Sequence, residues 1–156
     1  MKRINGKVVL IGYGNPGRLD DGLGPALASK INTMRLNNVT VEIGYQLVVE
    51  HAEMISNYDV VIFADASISG SEPYQFTDVE PTLDASFSTH SVSPSSILGL
   101  AQNIFHAKTE AYLLTIRGYE FDNFGERLSS RAYENLHSGI HFLKSAIGTT
   151  SYEVKS

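Results

Sequence analysis

The chain contains no cysteine. That absence removes disulfide frameworks, thiolate zinc sites, iron–sulfur clusters and cysteine nucleophiles together, so any metal must be held by imidazole and oxygen ligands. Basic charge is also scarce: 12 Lys and Arg stand against 17 Asp and Glu, a net charge of −5. A nucleic-acid binder needs a basic face, so DNA and RNA are not expected as partners. Long apolar runs are missing too. Val8-Val9-Leu10-Ile11 is closed by Gly12, Gly14 and Pro16, short of the roughly 7–15 residues of a secretory core or the roughly 20 of a membrane span. A cytoplasmic protein with no membrane partner is the expectation. There is no internal repeat, low-complexity tract or linker, and neither a G-x-S-x-G nor a Walker-type signature. What remains is a chain of 156 residues, 42% hydrophobic and 19% charged, the composition of an ordinary globular protein. One domain over residues 1–156 is the reading that length favours, and a monomer is the expectation.

Two short apolar runs, Val8 to Ile11 and Val60 to Phe63, are rich in β-branched residues and suit strands buried on both faces. Val39 to Ile43 and Tyr112 to Ile116 add two more strands. Helical stripes lie between them: Leu23, Leu27, Ile31 and Met34; then Ile97, Leu98, Ala101, Ile104 and Phe105, with Ser93 as N-cap and Pro94 at the first position. The clearest stripe is Leu128, Ala132, Leu136, Ile140, Leu143 and Ile147, with an end expected near Gly148. A weaker helix covers Glu50 to Ser56. The alternation of strand and helix implies a parallel sheet with helices on both faces. Pro73 to Asp78 reads as a further strand, but only residues 66–72 separate it from the strand before, too few for a parallel crossover. It is expected to run antiparallel. Glu80 to Ser93 is left as a long loop, a length that compact domains rarely keep without a use.

In an open α/β sheet, ligands bind beyond the carboxyl ends of the strands. Three groups gather at that edge: Asp20 and Asp21 after the first strand, Asp65 at the end of an apolar run, and His90 in the long loop. Two carboxylates and an imidazole suit a divalent first-row metal, and Ni, Zn, Mn or Fe are all acceptable there. Each residue also has a bland reading. An Asp at a helix start caps it, so one of the Asp20–Asp21 pair can cap while the other enters the cleft. Asp65 can bond loop amides, and a lone loop histidine is often structural. His137 and His141 are four apart on the last helix, but lack a glutamate base and a third ligand. His51 and His106 read as structural. Gly12, Gly14 and Gly17 also satisfy the G-x-G-x-x-G dinucleotide pattern, with Glu42 in place of a ribose-binding acid. Asp20 and Asp21 would oppose a phosphate at that helix N-terminus, and Pro16 removes a loop N–H.

The motifs together carry a resemblance. Val9-Leu10-Ile11-Gly12-Tyr13-Gly14-Asn15-Pro16 followed by Asp20-Asp21-Gly22-Leu23-Gly24-Pro25 resembles the opening of the [NiFe]-hydrogenase maturation endopeptidases. Tyr45-Gln46-Leu47 with Glu50, and Asp59 to Ala66, resemble the second block of that family. Thr89-His90-Ser91 with Ser93-Pro94 resembles the third, and Thr115 to Phe121 with Gly125 to Ser129 the last. The likeness runs in order over nearly the whole chain. It implies a phosphorylase/hydrolase-like, three-layer α/β/α sandwich with a five-stranded mixed sheet, one strand antiparallel. The implied activity is removal of a C-terminal peptide from the hydrogenase large subunit precursor after nickel insertion, as an aspartic-type endopeptidase. By the same resemblance Asp21 and Asp65 are the catalytic carboxylates, Asp21, Asp65 and His90 the metal ligands, and nickel arrives with the substrate. The chain departs from the family at Gly17, where a bulky apolar residue is frequent, and at Leu19, where a small or polar one is. A non-catalytic nickel-sensing module for the same subunit is the alternative. Gly14-Asn15-Pro16-Gly17 is also similar to the opening of peptidyl-tRNA hydrolases. Arg18-Leu19-Asp20-Asp21 follows where that family places its catalytic histidine segment.

Overall fold

The computed structural model describes residues 3–82 and 92–153. Five strands form one sheet: β1 (Val8–Tyr13), β2 (Val39–Gly44), β3 (Val60–Ser67), β4 (Tyr74–Asp78) and β5 (Glu110–Arg117). Their spatial order is β2-β1-β3-β5-β4. β1 pairs in parallel with β2 and β3, β3 in parallel with β5, and β4 antiparallel with β5. The short spacing before β4 thus has the consequence expected of it: a chain too short to cross over returns as an antiparallel edge.

The helices are α1 (Leu23–Thr33), α2 (Glu50–Ile55), α3 (Pro94–Phe105) and α4 (Ser130–Glu153), with a 3-10 turn at Leu19–Gly22 ahead of α1. Alternate residues of each central strand feed opposite cores. Val8, Leu10, Val60, Ile62, Leu114 and Ile116 pack on one side with α1 and α4. Val9, Ile11, Val61, Phe63 and Ala111 pack on the other with α2 and α3. The continuous apolar runs of β1 and β3 exist because both faces of those strands are dry. The arrangement is a three-layer α/β/α sandwich with a mixed sheet.

α3 begins as its sequence predicts. Ser93 caps the Ser96 N–H at 3.1 Å, the Ser96 hydroxyl accepts the Ser93 N–H at 2.9 Å, and Pro94 opens the first turn. α4 does not end near Gly148 but continues to Glu153. A single glycine costs a helix interior only about 1 kcal/mol, too little to stop one already docked along Leu136, Ile140, Leu143 and Ile147. Most of the loop between Glu80 and Ser93 lies outside the described residues. Among the described residues, no helix is long and apolar enough to cross a membrane.

Candidate functional site

The carboxyl ends of β1, β3 and β5 meet at one edge of the sheet, and the chemistry-bearing residues collect there. β1 and β3 run in register with Gly12 beside Ala64, which sets Tyr13 beside Asp65 one step further on. Both continue columns that are apolar lower down, Val9–Ile11–Tyr13 and Val61–Phe63–Asp65, on the α2/α3 face. Polar groups therefore emerge at the rim of the core.

The first turn of α1 comes unusually close to these strands. A Cβ on Gly24 would stand 2.5 Å from the carbonyl oxygens of both Ala64 and Tyr13, and one on Gly12 would stand 2.4 Å from the Gly24 carbonyl oxygen. Any side chain at either position would push α1 off the sheet. The two glycines let the Asp20–Asp21 segment sit directly over the end of β3.

Asp65 is the perturbed group of the site. Burial raises its pKa, and the charge of Asp21 adds to the effect; the Ala66 N–H, donating to Oδ1 at 2.8 Å, and the Tyr13 hydroxyl oppose it. The outcome is an acid pushed up from 3.8 to about 6. The Tyr13 hydroxyl is in turn held far above its ordinary pKa by burial and then by the Asp65 charge, so it remains a donor. Asp21 accepts the Asn15 N–H on Oδ2 at 2.8 Å.

Asp20, its neighbour in sequence, is wholly buried and faces elsewhere. Its Oδ2 accepts the N–H groups of Tyr119 (2.7 Å) and Glu120 (2.9 Å) and the Ser129 hydroxyl (2.7 Å), while Oδ1 accepts the Ser129 N–H (2.8 Å). Burial works against its charge, but these donors outweigh it and hold the pKa below 3.8. Neither acid caps α1. Its N-cap is Gly22, and no side-chain cap bond forms. The carboxylate of Asp20 is spent on the loop after β5, and that of Asp21 takes the Asn15 N–H within its own turn.

The hydrogen bonds of the same turn count against a dinucleotide. The N–H groups that would cradle a pyrophosphate already donate within the protein: Gly14 to Gly44 O, Asn15 to Asp21, Gly17 to the Asn15 side chain, and Arg18 to Asn15 O. Gly14, at φ +143°, lets the turn fold back on itself, since a Cβ there would meet the Asp21 carbonyl oxygen at 2.2 Å.

Of the three residues expected to form the site, Asp21 and Asp65 come together; His90 lies outside the described residues. Among the described residues, no cluster of three or more His, Asp or Glu is placed to hold a metal. His51 accepts the Val48 N–H on Nδ1 at 3.0 Å and is pushed down by burial, a neutral structural histidine. His137 packs edge-on against Tyr133. The sequence reading left out Tyr13, whose signal was its place two residues after Ile11 on a buried strand face. It also gave no role to Tyr119, Glu120 or Ser129, which hold Asp20.

Comparison with known proteins is informative at the level of the fold. No protein-family model matches the chain, and no curated protein matches it by sequence. Solved structures do. The [NiFe] hydrogenase maturation protease HycI from Thermococcus kodakarensis superimposes with a TM-score of 0.71 at 20% identity, over 92% of this chain and 94% of that one. The hydrogenase maturating endopeptidase HybD from E. coli gives 0.63 at 18%, over 90% and 91%. The endopeptidase HycI from Escherichia coli gives 0.66 at 20%, over 89% and 90%. The chain has the fold of the hydrogenase maturation proteases over about nine-tenths of its length.

Proposed function

We propose that this protein is a maturation endopeptidase that removes a C-terminal peptide from a [NiFe]-hydrogenase large subunit precursor after nickel insertion. The observation that carries the reading is the Asp21–Asp65 pair at the carboxyl edge of the sheet, in a fold shared with hydrogenase maturation proteases. The forces on Asp65 among the described residues are burial, two hydrogen-bond donors and the like charge of Asp21; none is a cation. An ionised pair of this kind is relieved by a divalent ion, and its oxygen donors suit nickel carried in by the precursor.

In this reading Asp21, Asp65 and His90 grip the nickel of the docked precursor, which brings the scissile peptide to the edge of β1 and β3. Positioning supplies much of the rate. A carboxylate of the pair takes the proton of the attacking water. The peptide C–N bond breaks, and the departing nitrogen leaves as an amine after accepting a proton.

The test is to incubate the protein with nickel-loaded and nickel-free precursor and to weigh the products. Shortening of the nickel-loaded precursor alone is the expected result. Nickel-dependent binding without shortening would replace the peptidase by a nickel-sensing module on the same cleft.

A further inference from the structure

We infer that Asp20 is a positioning residue, which sets the Asp21 carboxylate by locking the β1–α1 turn to the loop between β5 and α4. The inference rests on the peptidase reading for its catalytic consequence, but its geometry stands on its own.

Two segments about a hundred residues apart are joined at this point. The Asp20 carboxylate gathers the Tyr119, Glu120 and Ser129 N–H groups and the Ser129 hydroxyl. Backbone bonds flank it: Asp20 N–H to Glu120 O at 3.0 Å, Leu19 N–H to Gly125 O at 3.0 Å, and Gly125 N–H to Gly17 O at 2.8 Å. Arg18 adds a bond from its guanidinium to Phe121 O at 3.1 Å. Gly118 lets the two backbones close up, since a Cβ there would fall 2.8 Å from the Cβ of Asp20. The Ser129 hydroxyl also accepts the Ala132 N–H at 3.4 Å, which ties the lock to the first turn of α4.

The turn itself is held in a conformation it would not choose. Leu19 has φ +52° and is 3% exposed, a left-handed backbone that costs a non-glycine residue energy and persists only where the surroundings impose it. Here the surroundings are the bonds to the 118–129 loop. Asp21 is the next residue after Asp20. Its Oδ2 meets the Asn15 N–H on the other limb of the same turn. Releasing Asp20 lets the Leu19 backbone relax toward negative φ and carries Asp21 away from Asn15 and Asp65.

The experiment reads this coupling directly, through hydrogen exchange of the Asn15 amide in Asp20→Asn and in the milder Ser129→Ala. Both variants are expected to speed that exchange by about tenfold or more while the sheet amides keep their protection. Thr109→Val, which removes a buried hydroxyl bonded to Ile55 O and Tyr58 O, destabilises the chain away from this edge and is expected to leave Asn15 unchanged. With nickel-loaded precursor, the same two variants are expected to lower kcat by about tenfold or more with KM within a factor of about two. Unchanged Asn15 exchange in both variants, or an equal change in Thr109→Val, would overturn the positioning role. A wild-type chain that fails to cleave precursor would overturn the peptidase reading instead, and the exchange data would still decide on Asp20.

Discussion

Asp20 and Asp65 are both held at the edge of one sheet, and their surroundings drive them in opposite directions. Asp20 has no exposed surface, yet its pKa is lowered; Asp65 keeps some exposure, yet its pKa is raised to about 6. The difference is the supply of donors. Three N–H groups and a hydroxyl converge on Asp20, whereas Asp65 has the Ala66 N–H, the Tyr13 hydroxyl and a like charge beside it. Burial alone does not mark a working carboxylate. A satisfied one is structure, and one that is short of partners is free to take a proton or a cation.

The comparison can be broken at either end. The largest expected effect is on Asp65→Asn, which removes the charge from the site. Precursor processing should fall by about 10²–10⁴-fold, read as the rate of appearance of the shortened subunit. Next comes Asp20→Ala, which strands the buried donors of the 118–129 loop. Urea unfolding should show a loss of about 3 kcal/mol or more at pH 7. The ionic part of the Asp20 contribution is fully present above its ordinary pKa of 3.8 and is lost as pH falls through the lower folded value, so the gap between wild type and variant should narrow in strong acid.

Gly24→Ala sharpens the role of close packing. Its methyl group must displace the Ala64 and Tyr13 carbonyls, and a cost of about 1–3 kcal/mol is expected by thermal unfolding, with slower processing as α1 lifts Asp21 from Asp65. Tyr13→Phe is the mildest. It removes a bond that holds the Asp65 pKa down, so the acid limb of the processing profile should move to higher pH, with a loss of about two- to fourfold at neutral pH.

What could be read from sequence divides along the same line. β3 announced itself as an apolar run ended by Asp65, and the antiparallel direction of β4 followed from the length of chain before it. Ser93-Pro94 marked the start of α3 because capping is local. The meeting of Asp21 with Asp65 followed from their places at the carboxyl ends of two strands. The tertiary role of Asp20 was not legible, because its partners lie 99 to 109 residues further on. Tyr13 was hidden for a related reason: its bond to Asp65 depends on the register of two strands. The run of α4 past Gly148 was missed because docking of the helix body overrides a single weak helix former.

The central claim, that one acid is fixed structure and the other is held ready at a cost, is tested most directly by the urea midpoints of Asp20→Asn and Asp65→Asn at pH 7. The folded pKa of Asp65, about 6, lies above 3.8, so the folded chain binds the proton more tightly than the unfolded one. Stability falls as pH rises through that interval, and the ionised group costs roughly 2–3 kcal/mol at neutral pH. Asp65→Asn is expected to raise the midpoint and Asp20→Asn to lower it. Midpoints that move in the same direction would contradict the claim.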